Sequence, residues 1–191
     1  MTGYCFPAKP SFQFCNLDWK FNLDFEASGQ GESRVTQSGF NVWVDADDCQ
    51  MQPEIVRVCK RYGIVPHFVY NKIFAYYTDS KDVIVMTVPV GFDSAETCII
   101  ENVFPGDLVL TDDAVLASRV LKQGAAPLDF RGQWFTENNI AERLAACEQH
   151  DSHQGKEASR GGRKKPTRAE YSRLRRELNA YLKFATKSPN P

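Results

Sequence analysis

Short apolar runs that stop abruptly at carboxylates, separated by segments of helical period, constrain this chain more than any other feature. Asn41-Val42-Trp43-Val44 is a run of buried-strand type that ends in Asp45-Ala46-Asp47-Asp48. Pro53 then sits in a first helical turn, Ile55, Val56, Val58 and Cys59 supply apolar positions, and Gly63 closes the helix. Ile64 to Tyr70 and Asp82 to Val88 read as the second and third strands, followed by a helix from Ser94 to Asn102. A fourth strand covers Asp107 to Thr111, a helix Asp113 to Gln123 is stopped by Gly124, and Ala125 to Leu128 reads as a short fifth strand. Thr136 is placed to cap a further helix through Cys147. Strands alternating with helices predict an α/β fold, a three-layer sandwich around a mostly parallel central sheet.

That pattern occupies residues 40–147. The preceding 39 residues are rich in Phe (Phe6, Phe12, Phe14, Phe21, Phe25), show little periodicity and end in the linker-like Ser28-Gly29-Gln30-Gly31-Glu32-Ser33, so they read as an N-terminal extension. Residues 148–165 are polar, Gly-containing and basic, and read as a linker. A last helix over 166–185 opens with the capping box Thr167-Arg168-Ala169-Glu170. Its apolar stripe of Tyr171, Leu174, Leu178, Tyr181 and Leu182 is expected to pack on the domain.

Composition excludes several classes. With 42% hydrophobic and 25% charged residues the chain is neither wholly disordered, collagen-like nor coiled coil. No apolar run reaches the roughly 18 residues of a membrane span, and the start lacks a secretory layout. Six cysteines without a C-x-x-C pair point to a reducing cytoplasm with thiols as small buried hydrophobes. His67, His150 and His153 form no ligand pattern with them, so zinc is not expected.

The net charge is −1, yet residues 156–176 carry nine basic and two acidic side chains, among them Arg163, Lys164, Lys165 and Arg168. The remainder is therefore acidic. A basic arm on an acidic body fits approach to a polyanion such as RNA or single-stranded nucleic acid; the plainer alternative is a solvated helix face plus linker.

The acids fall in three groups, each at or just past the carboxyl end of an expected strand. Asp45, Asp47 and Asp48 follow the first, Asp93 and Glu96 the third, and Asp112 and Asp113 the fourth. In parallel sheets ligands bind along that edge. A cluster of carboxylates repels itself until protons or cations neutralise it, and Mg²⁺ or Mn²⁺ prefers such oxygen ligands. The chemistry this favours is phosphoryl transfer or phosphodiester hydrolysis. Each group also admits a humbler role, because Asp is a common helix N-cap and turn former. Asn71 and Lys72 follow the second strand on the same edge, and Lys72 or Arg131 either binds a substrate phosphate or pairs with a surface acid. Thr111 either orients a ligand water or bonds to backbone.

Val42-Trp43-Val44-Asp45-Ala46-Asp47-Asp48-Cys49 resembles the W-V-D-A-D-A-C-P opening of the YaiI/YqxD family of bacterial proteins. Gly91-Phe92-Asp93-Ser94-Ala95-Glu96 is similar to its G-F-D-x-A-D, and Pro105-Gly106-Asp107-Leu108-Val109-Leu110-Thr111-Asp112-Asp113 to its P-G-D-L-V-I-T-A-D. Arg131-Gly132, Phe135-Thr136 and Asn139-Ile140 with Glu142-Arg143-Leu144 match three later segments in order. The resemblance spans residues 40–182. It departs at Gln50 for Pro, Glu96 for Asp, Asp112 for Ala and Asp129-Phe130 for Asn-Pro. The family is grouped with PIN-like folds, whose active members are metal-dependent nucleases. The resemblance therefore implies Asp45, Asp93 and Asp113 as catalytic, metal-facing acids, with Asp47 and Glu96 supporting. Asp112 adds a carboxylate. A haloacid-dehalogenase-like phosphatase, with Asp45 and Asp47 as its D-x-D, and a non-catalytic RNA- or protein-binding domain are the competing readings.

Overall fold

Alternation of side chains along a strand sorts the first of these runs onto two faces. In β1 (Val42–Asp45), Val42 and Val44 point into one apolar cluster and Trp43 into another. The same alternation holds in β2 (His67–Tyr70), where Phe68 and Tyr70 oppose Val69, and in β4 (Leu108–Leu110), where Leu108 and Leu110 oppose Val109. Strands buried on both faces need helices on both, which is the three-layer α/β sandwich. The computed structural model describes residues 39–47, 49–71, 81–88, 94–153 and 165–187, all within the unit Arg34–Pro191.

With β3 (Ile84–Thr87) and β5 (Ala126–Leu128), the strands form a five-stranded parallel sheet in the order β3-β2-β1-β4-β5. One face is covered by α1 (Gln52–Arg61) and α5 (Arg168–Ala185), whose Leu174, Leu178 and Leu182 are fully buried with Val42, Val44 and Phe68. The other is covered by α2 (Ser94–Asn102) and α3 (Ala114–Lys122), which bring Ile99, Leu116 and Val120 against Trp43, Val69 and Val109. The remaining helix, α4 (Ile140–His153), packs on α3. None of the described helices is long and apolar enough to cross a membrane.

Local chemistry moved several boundaries. The second strand begins at His67 rather than Ile64: the Ile64 N–H donates back to Cys59 to close α1, Gly63 turns at φ +67°, and Pro66 has no N–H to offer a ladder. Pro127 lies inside β5, a strand at the sheet's end. Thr136 does not cap the fourth helix. Its N–H donates to Asn139 Oδ1, and the Asn139 side-chain amide reaches Trp134 O, so a turn precedes α4. That helix then runs through His153, six residues into the expected linker, because no glycine or proline interrupts the chain before Gly155. Residues 154–164 of that linker, and the expected extension up to residue 38, lie outside the described residues.

At the amino edge of the sheet Asp107 is buried and accepts from the Asn41 and Phe104 N–H groups and Trp43 Nε1. This acid ties β1 to the turn before β4, where Gly106 adopts φ +85°. Its role is architectural.

Candidate functional site

The chain leaves β1 for α1 on one side and, after β3 and α2, returns to β4 on the other side of β1. The crevice between the carboxyl ends of β1 and β4 is thus the switch point of the sheet, where parallel α/β proteins place ligands.

Asp45 is the last residue of β1 and shares the parity of Trp43, so it faces the α2 and α3 side. Beside it Thr111, fully buried just past β4, donates from Oγ1 to Asp45 Oδ2 at 2.9 Å and accepts from the Asp113 N–H at 3.0 Å. The hydroxyl's single proton is therefore committed to Asp45. Asp113 is the N-cap of α3 and accepts the Val115 and Leu116 N–H groups with Oδ1. Asp47 accepts the Asn71 N–H at 3.0 Å with Oδ2. Glu96, in the first turn of α2, keeps Oε2 buried with no hydrogen-bond partner among the described residues.

The other three carboxylates act on Asp45. Burial pushes the Asp45 carboxyl up to about 7; the Thr111 hydrogen bond opposes that rise, and the charges of Glu96, Asp47 and Asp113 add to it. Near neutrality Asp45 is poised between holding a proton and being a carboxylate. One oxygen each of Asp45, Asp47 and Asp113 is anchored by a hydrogen bond, and their second oxygens accept none from a described residue.

The other expected site residues fall elsewhere. Asp112 turns toward β5, where Oδ1 accepts the Phe130 N–H at 3.0 Å. Asn71 meets the cluster through its backbone, on Asp47. The Arg131 guanidinium lies 3.7 Å from Glu170 at the surface, the pairing with an acid that its sequence position allowed. Lys165 and Arg168 are exposed at the start of α5. Asp48, Lys72, Asp93, Arg163 and Lys164 lie outside the described residues. Within the basic arm, Arg175 is bonded to the buried Glu54 at 2.6 Å and Arg176 to Glu177 at 2.8 Å, so part of its charge serves the fold.

A hard divalent cation suits an all-oxygen donor set that includes Glu96 Oε2, buried with no hydrogen-bond partner among the described residues, and an Asp45 carboxyl raised first by burial and then by its acidic neighbours. Among the described residues no three such side chains stand close enough to form a ready-made cation cage. Two residues not anticipated from sequence lie behind the site. Gln52 Nε2 donates to Ala46 O at 3.2 Å, and Tyr70 Oη donates to Gln52 Oε1 at 3.0 Å. Neither residue type at those positions carries a sequence signal.

The sequence profile described as "Uncharacterized BCR, YaiI/YqxD family" matches residues 43–184. A UPF0178 protein of Burkholderia vietnamiensis is 43% identical over 106 residues, covering 54% of this chain and 70% of its own length. UPF0178 proteins of Paraburkholderia phytofirmans and Parvibaculum lavamentivorans are each 33% identical, over 152 and 150 residues. Each alignment takes in 78% of this chain, and 92% and 98% of the respective relatives. No solved structure matches the chain.

Proposed function

This chain belongs to the YaiI/YqxD family, and from that premise we propose that it is a Mg²⁺- or Mn²⁺-dependent nuclease acting on RNA or single-stranded nucleic acid. The observation that carries this reading is the gathering of Asp45, Asp47, Glu96 and Asp113 at the sheet's switch point, with Asp45 raised to about 7. Burial and the neighbouring charges both disfavour the ionised form of Asp45, and a bound cation relieves that cost. Asp45 and Glu96 are the residues that would hold it, with the second oxygens of Asp47 and Asp113 in reserve. A divalent ion there supplies Lewis-acid stabilisation of charge on the phosphate and lowers the pKa of water. Thr111 holds Asp45 in one orientation, and Asp113 keeps α3 seated while its charge faces the cluster.

The basic start of α5 supports the substrate class. Gly132, just past β5, lies against the Leu174 backbone, and Tyr181 Oη donates to Gly106 O at the sheet's opposite edge. The helix therefore runs against the strands and presents Lys165 and Arg168 at the same edge as the acids. Cations at a helix N-terminus oppose the macrodipole, so that placement is not one stability favours.

Cleavage of mixed RNA and single-stranded DNA with Mn²⁺ or Mg²⁺ tests the reading, comparing wild type with Asp45→Asn and Asp113→Asn. Asn caps a helix as well as Asp, so the second variant removes charge and spares α3. Activity in wild type that both variants lose is the expected result. Absence of cleavage in either metal, or cleavage that survives both substitutions, overturns it. The competing reading is a non-catalytic binder, favoured by the backbone N–H groups that already engage Asp47, Asp112 and Asp113. Metal-independent nucleic-acid binding without turnover would support that one.

A further inference from the structure

The turn that carries Asp45 and Asp47 is held by a polar bridge that the hydrophobic core has no need of. Gln52 and Tyr70 are 9% and 3% exposed. Two apolar side chains of similar size would bury there at lower desolvation cost. Instead Tyr70 Oη donates to Gln52 Oε1, and Gln52 Nε2 donates to Ala46 O.

Ala46 directly follows β1. Its N–H still donates to Val69 O as the ladder's last bond, while its carbonyl has no strand to meet and takes Gln52 Nε2 and the Cys49 N–H. The next residue, Asp47, accepts the N–H of Asn71, which directly follows Tyr70. Both ends of the Ala46-Asp47 turn are thus pinned to the end of β2, one through a side-chain relay and one through backbone. We infer that Gln52 and Tyr70 are positioning residues that set the geometry of Asp45 and Asp47 for a divalent cation. This rests on the metal reading above. It goes beyond that reading by assigning cation affinity to two side chains that do not touch the cation.

The test is Mn²⁺ binding to the full chain, followed by the loss of the free-ion electron paramagnetic resonance signal, for wild type, Asp45→Asn, Tyr70→Phe and Gln52→Met. Tyr70→Phe removes a single oxygen, and Gln52→Met keeps side-chain length while removing the amide. Circular dichroism confirms that each variant is folded. Groups that orient metal ligands typically contribute about 10–100-fold in affinity. The expected result is that both bridge variants weaken Mn²⁺ uptake by about that factor, while nucleic-acid binding in chelator is unchanged and saturating Mn²⁺ restores kcat. Wild-type uptake that Asp45→Asn abolishes and both bridge variants retain overturns this inference alone. A wild type that takes up no Mn²⁺ overturns it together with the metal reading.

Discussion

Asp45 is more comfortable protonated than charged, and that has a sign that stability measurements can read. Its carboxyl is raised from 3.8 to about 7, first by burial and then by Glu96, Asp47 and Asp113. Between those two values the folded protein holds a proton that the unfolded chain has released. In the metal-free protein Asp45 therefore lowers stability progressively as pH rises from about 4 to 7, with no further loss above that. Asp45→Asn is expected to flatten this slope. It should stabilise the fold at pH 8 but not at pH 4, by up to about 4 kcal/mol for a shift of this size, as thermal melts in chelator would show. The Thr111 hydroxyl pulls the other way, so Thr111→Val should drive the Asp45 pKa still higher. That change also strands the Asp113 N–H, at a cost of about 1–3 kcal/mol. Carbon-detected NMR titration of the Asp45 carboxyl gives the first effect and chemical denaturation the second.

Among the elements, α5 depends most on a single close approach. Gly132 adopts φ +77°, and a Cβ there would meet Leu174 N at 2.6 Å and the Arg173 carbonyl carbon at 2.8 Å. Those are backbone atoms of a helix, so the helix must move. Left-handed strain and overpacking together predict that Gly132→Ala destabilises by about 2–4 kcal/mol, measurable by denaturant titration. The polar clasps on either side of the helix, Arg175 on Glu54 and Trp134 Nε1 on Glu177, should weaken with it. The capping box at Thr167 contributes locally: Thr167→Ala is expected to cost about 1 kcal/mol and leave the site acids undisturbed.

Across the whole molecule, charge is segregated between an acidic body and a basic stretch whose described members divide between two uses. Arg175 and Arg176 are paired within the fold, whereas Lys165 and Arg168 are exposed at the start of α5. Replacing Lys165 and Arg168 by Ala should leave stability within a few tenths of a kcal/mol, or raise it slightly, because cations at a helix N-terminus are unfavourable. If the arm binds single-stranded nucleic acid, the double variant should lower the slope of log affinity against log salt. The expected change is about 0.7 for each phosphate that the two side chains neutralise. Fluorescence anisotropy at several salt concentrations reads this directly, and an unchanged slope would assign the two residues to solvent alone.

Local sequence suffices for the order of strands and helices, the parallel α/β class and the family, because apolar period, Pro53, Gly63 and Gly124 act over a few residues. It also places Asp45, Glu96 and Asp113 at strand ends or first turns, since a run that stops at an acid is legible without a fold. It leaves open whether Asp113 is a cap or a site acid. In the folded chain Asp113 caps α3 and also lies close enough to Asp45 to raise its pKa. Asp112 and Asp113 are adjacent in sequence yet turn to different neighbours, Phe130 and the α3 amides, which no local pattern distinguishes. Only the packed chain brings Thr111 to Asp45 and Tyr70 to Gln52, pairs that are 66 and 18 residues apart. Proximity between such residues is set by the strand order, and strand order follows from how two faces of one sheet are buried at once.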